Sequence, residues 1–172
     1  MALINTVKPE QAQGNIKEGY DLFLKRSGNI PQPFILLSAS PGMFDLMMNR
    51  NQYFSDHPAL PFSLLAHIRY FVSMRMNYKF CYNHNKRLLL NHGLEEMDFI
   101  RMDSDPDQAL LDENERVMLE FVLKAMAEPE LVIQADIDQL RGYGWEDRDI
   151  FDALAQGIGL IDHQFLMKVF KP

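Results

Sequence analysis

The longest helical pattern in the chain runs from about Ser63 to Asn91, and it restricts the fold more than any other feature. Leu64, Leu65, Ile68, Phe71 and Val72 recur three and four residues apart, the spacing that builds one apolar face of a helix. Shorter segments repeat the pattern. Ile16, Tyr20, Phe23 and Leu24 predict a first amphipathic helix. Leu36, Leu37, Met43, Phe44, Met47 and Met48 predict helix interrupted at Pro41-Gly42. Val117, Met118, Phe121, Val122 and Ala125 form another face, ended by Pro129, with Asp112 and Glu115 spaced as a capping box. Asp136 to Arg141 reads as a short helix, and Trp145 to Phe170 as one or two more. Period-two alternation is scarce, and Val132-Ile133 is too short for a strand. The prediction is an all-α fold of six to eight helices.

The chain has 172 residues, enough for a single domain with a real core, and one domain over 1–172 is expected. Seventeen Lys and Arg stand against twenty-four Asp and Glu, a net charge of −7. That balance argues against a nucleic-acid footprint and against anionic membrane surfaces as partners. No apolar run approaches the roughly 20 residues needed to span a bilayer. The opening MALINTVKPE lacks a basic run followed by an apolar stretch, so no secretory signal is expected. Cys81 is the single cysteine, which excludes an intramolecular disulfide and a Cys-only zinc site. Together these features predict a cytoplasmic protein.

Two stretches echo one another. Gly93-Leu94-Glu95-Glu96-Met97-Asp98-Phe99-Ile100 resembles Gly144-Trp145-Glu146-Asp147-Arg148-Asp149-Ile150-Phe151. Each stops a helix at glycine and starts another on acidic residues, where the helix dipole is positive. The echo is read either as shared helix-turn-helix grammar or as a duplicated helical hairpin.

The segment His67 to Gly93 carries the chemistry. On one continuous helix, His67, Met74, Tyr78, Cys81 and Asn85 would share a stripe, combining imidazole, thioether, phenol, thiol and amide. A polar stripe on a buried helix often lines a pocket. Lys86-Arg87, with Arg75 and Lys79, adds a basic edge. His67, His84 and His163 beside Asp162 lack metal-ligand spacing, so no metal is expected, and no cofactor motif appears.

These residues resemble the signature of the alkylhydroperoxidase D-like, or carboxymuconolactone decarboxylase-like, family, including its longer peroxidase-related members. Val72-Ser73 matches the family's Val-Ser, Cys81 the second cysteine of its Cys-x-x-Cys, His84 the first of its paired histidines, and Gly93-Leu94 its Gly-Leu-Ser step. The match covers 33–102, with 110–172 as C-terminal helices. The resemblance implies an alkylhydroperoxidase D-like helical domain and a homo-oligomer, a trimer or hexamer, with the cysteine site near subunit contacts.

The departures matter equally. Tyr78 stands where the first cysteine belongs, Asn85 where the second histidine belongs, and Ala66 where a Glu belongs. A dithiol cycle needs an attacking and a resolving thiol, and this chain has only one. Two readings follow. The first is a non-catalytic or altered member whose pocket holds a small molecule, with Tyr78, Asn85 and Met74 as ligand-binding residues. The second is a one-thiol, peroxide-reducing antioxidant enzyme, an oxidoreductase acting on hydroperoxides. There Cys81 would attack, His84 or His67 would assist, and an external thiol would clear the sulfenic acid. The bland alternatives are a buried structural cysteine, a structural His67, a His84 at a subunit contact and a Tyr78 that only packs its ring.

Overall fold

A computed structural model describes residues 3–172. Among the described residues there are nine α-helices, three short 3-10 turns and no strand. The all-α expectation holds, and the count exceeds the expected range because the long 63–91 pattern is two helices. No helix is long and apolar enough to cross a membrane.

The chain divides into two compact units, residues up to Asp56 with 162–172, and residues 57–161. The first contains α1 (Gly14–Ser27), α2 (Gln32–Leu37) and α3 (Pro41–Ser55). Pro41 takes the first turn of α3, where its missing N–H costs nothing. Their apolar faces meet in a core of Ile16, Tyr20, Phe34, Leu37, Phe44 and Met47. Its aromatic rings meet edge to face, Tyr20 on Phe44 and Phe34 on Phe44.

The second unit contains α4 (Phe62–Arg75), α5 (Lys79–Asn91), α6 (Glu96–Ser104), α7 (Glu113–Ala127), α8 (Gln134–Gly142) and the first part of α9 (Asp147–Phe170). Helix α4 packs on both α5 and α7. It is buried nearly all round rather than along one face: Leu64 through Ile68 and Tyr70 through Ser73 are all inaccessible. Two of its polar side chains are satisfied close by. The Ser73 hydroxyl donates back to the Arg69 carbonyl at 2.6 Å, and Tyr70 donates to Asp103.

The break between α4 and α5 is the main departure from the helical pattern. Met76 and Asn77 close the end of α4, and Asn77 turns left-handed at φ 53°. The Asn77 N–H donates to the Met74 carbonyl, and the Tyr78 N–H to the Ser73 carbonyl at 2.7 Å. These bonds satisfy carbonyls that the next helical turn would otherwise have taken. Asn tolerates the left-handed region better than other side chains with a Cβ. The chain therefore reverses, and α5 returns along α4.

The sequence echo is a repeat of backbone bonding. Gly93 and Gly144 both have positive φ, 103° and 93°. Leu94 donates to the Leu89 carbonyl as Trp145 donates to that of Leu140, both at 3.2 Å. Asp98 then accepts the Glu95 N–H, and Asp149 that of Glu146. The expected Asp112–Glu115 box does not form. Asp112 sits at the cap of α7 without a side-chain bond, while Glu115 accepts from the Ser63 hydroxyl at 3.3 Å.

Replacing Asn77 tests the reversal. Asn77→Gly should leave urea stability equal or higher. Asn77→Val should lower it by about 1–2 kcal/mol, because a β-branched side chain is strained at positive φ.

Candidate functional site

The hairpin dismantles the single stripe that a continuous helix would have made. His67 and Met74 stand on α4, Tyr78 at the cap of α5, and Cys81, His84 and Asn85 on α5. Antiparallel return brings a residue beside Cys81 that the stripe omitted, Arg69 of α4. Its Nε donates to Asn85 Oδ1 at 2.8 Å. Asn85 Nδ2 in turn donates to the Cys81 carbonyl at 2.8 Å. The amide is thus held at both ends, and it is 1% exposed.

Cys81 is buried at 8% exposure. Burial pushes its thiol up to about 11, against opposing pulls from the Tyr78 hydroxyl and the Arg69 charge. At neutral pH only about one thiol in ten thousand is then ionised. Arg69 is lowered by burial to about 10 and stays charged. The Tyr78 hydroxyl lies within electrostatic reach of the thiol but makes no hydrogen bond of good geometry, although it is buried. Burial raises its pKa further, so it remains a neutral donor.

The histidines divide. His84 is half-buried, stacked parallel to Phe80 and 3.5 Å from an Arg87 guanidinium nitrogen. Burial, then Arg87 and Arg69, lower its pKa, so it is neutral at pH 7. The groups acting on the Cys81 thiol are Tyr78 and Arg69 rather than His84. His67 is fully buried on α4. Its Nδ1 lies 2.8 Å from the Ser63 carbonyl and its Nε2 has no partner. Burial lowers its pKa, and no interaction links it to Cys81. Met74 is half-buried in the last turn of α4, its carbonyl engaged in the reversal.

The basic edge is mostly consumed by structure. Lys86 pairs with Glu96 at 2.6 Å and lies over the Phe99 ring, and Arg75 donates to the Leu123 carbonyl. Ala66, where the family resemblance leads one to expect a Glu, is wholly buried. The charge that α4 brings to the cysteine is therefore a cation. Arg69 is legible in hindsight: it lies one helical turn after Ala66, in a helix otherwise almost free of charge. The missing information was the reversal, not the residue.

A cleft of about 390 Å³ lies elsewhere in the same unit, lined by Ser63, Leu111, Asp112, Glu115 and Arg116. Cys81 is not among its lining residues.

The raised thiol has a measurable signature. Its neutral form is favoured by folding, so that contribution is complete below the unfolded pKa near 9 and is lost as pH rises towards about 11. Wild type should lose about 2 kcal/mol more stability than Cys81→Ala between pH 8 and 11 in urea titrations.

No family model matches the chain, and no curated protein matches it. Solved structures do. One is an alkylhydroperoxidase AhpD core, an uncharacterized peroxidase-related protein from Ralstonia eutropha JMP134. It superposes with a TM-score of 0.83 at 17% identity, covering 99% of this chain and 90% of that one. Another is an uncharacterized peroxidase-related protein from Silicibacter sp. TM1040, with a TM-score of 0.75 at 16% identity, covering 98% of this chain and 93% of that one. The chain has the all-α fold of an alkylhydroperoxidase AhpD core.

Proposed function

We propose that this chain is an alkylhydroperoxidase D-like protein that has lost the dithiol reaction and keeps the cysteine site as a small-molecule binding site. The observation that carries this reading is the state of Cys81: a lone thiol, buried, with its pKa pushed up to about 11 and so protonated at neutral pH. A peroxidatic cysteine needs its thiolate, and reactive cysteines are commonly lowered to about 3.5–7.5 by nearby positive charge or a base. Here burial outweighs the Arg69 charge, and neither His84 nor His67 is among the groups acting on the thiol. The residues around the thiol are arranged to bind. Tyr78 offers a hydroxyl with only the weakly accepting thiol beside it, Asn85 a fixed amide and Arg69 a cation.

The same reading includes self-association as a homo-oligomer. Phe151, Ile158 and Phe165 stand exposed on α9, Phe151 at 72%. Apolar side chains in such number on one helix suit burial against another subunit. Sedimentation equilibrium should report a species larger than 20.0 kDa. A monomer at micromolar concentration would refute this part.

The main test is direct. Consumption of an organic hydroperoxide is measured with excess dithiothreitol, for wild type and Cys81→Ser. Equal, background-level rates are expected. Turnover lost in the serine variant would instead establish the one-thiol enzyme. Binding is tested separately by nuclear magnetic resonance, with benzyl alcohol as a neutral probe. Shifts confined to Arg69, Tyr78, Cys81 and Asn85 are expected, and their absence would remove the pocket.

A further inference from the structure

Arg69 is a cation without a counter-ion. Among the described residues it makes no ion pair with a carboxylate, and its one side-chain bond uses Nε on the Asn85 oxygen. The two terminal nitrogens of the guanidinium are left over. They are not among the sealed, unpartnered polar atoms, and Arg69 is partly exposed, so they reach solvent. The groups acting on Arg69 are burial and Cys81, and the thiol is protonated at neutral pH. Half-removed from water and uncompensated, such a cation is unfavourable until an anion joins it.

The surroundings favour an anion further. Arg87, also without an ion pair among the described residues, adds a second positive charge at His84. His84 is neutral, and no carboxylate is among the groups that act on Arg69, Tyr78, Cys81 or His84. This positive, carboxylate-free spot occurs in a chain of net charge −7. A second donor, like Arg69, lies beside Cys81. Tyr78 is 6% exposed, and the partner of its hydroxyl is the same Cys81 thiol. Sulfur is a weak acceptor, so a hydroxyl with only a thiol beside it still favours a stronger acceptor.

We infer that Arg69 and Tyr78 form a receptor for a small organic carboxylate, seated beside Cys81 with Asn85 fixing the guanidinium. The inference rests on the binding reading above and names the chemistry of its ligand. The planar fork of a guanidinium matches a carboxylate bidentately, and a spherical or fully hydrated anion uses it less well. Asn85 takes Nε and so leaves the two terminal nitrogens facing the ligand. Cys81, being neutral, does not repel it.

The probe is sodium benzoate, titrated into the full-length protein by calorimetry and nuclear magnetic resonance at constant ionic strength, with benzyl alcohol as its neutral counterpart. Benzoate is expected to bind at least tenfold more tightly than benzyl alcohol. Arg69→Gln should lose that advantage, whereas Arg87→Gln should change affinity less than threefold. Asn85→Asp gives a second route that does not depend on the Arg69 variant folding: it presents an internal carboxylate to Arg69, and benzoate affinity should fall tenfold or more. Bound benzoate should also raise the pH midpoint for Cys81 alkylation by iodoacetamide, since it competes with the thiolate for Arg69. Equal binding of benzoate and benzyl alcohol, or undiminished benzoate binding in Arg69→Gln or Asn85→Asp, would overturn the carboxylate receptor and leave the pocket standing. Failure of both probes would overturn the pocket and the receptor together.

Discussion

The reversal at residues 76–78 is the constraint on which the site depends. Two helices that read as one in sequence are folded against each other by a left-handed Asn77 and two backbone hydrogen bonds. Without it Arg69 would lie some sixteen residues up the same helix from Asn85, roughly 24 Å away at 1.5 Å per residue. With it, the two are hydrogen-bonded at 2.8 Å. Everything particular to the cysteine's surroundings follows from that return.

Burial then sets the chemistry. Helix α4 is covered on nearly every side, so its charged and polar groups must be satisfied locally or carry an energetic cost. Ser73 and Tyr70 find partners. Arg69 finds only half of one. The same low accessibility that lowers the Arg69 guanidinium makes Cys81 a poor thiolate, because burial disfavours both charges. An exposed cysteine beside the same arginine would have been activated instead.

The chain shares its fold with peroxidase-related structures at only 17% and 16% identity. A helical scaffold can keep its packing while its site changes, since function resides in the side chains placed on it. The Gly–acidic turn is built the same way twice in this chain, at Gly93 and Gly144: positive φ at glycine, one carbonyl capture, and one carboxylate accepting an N–H at the start of the next helix. Those bonds are local, which is why they can be recognised from eight residues of sequence.

By itself the sequence determined the helical class, most element boundaries and the lone thiol. Apolar spacing, Pro41 at a helix start and Gly93 after a helix end are local signals, and the chain obeyed them. It also placed Tyr78 and Asn85 three residues before and four after Cys81, which needs only register along one segment. The tertiary structure decided what those residues face. It set His67 against the Ser63 carbonyl, tied Lys86 to Glu96, and brought Arg69 alongside Asn85. Asn77 carries no glycine or proline signal strong enough to announce a reversal inside so continuous a helical pattern. The physical reason is that helical spacing records which side of a helix is buried, while the partner across a hairpin is set by where the chain turns.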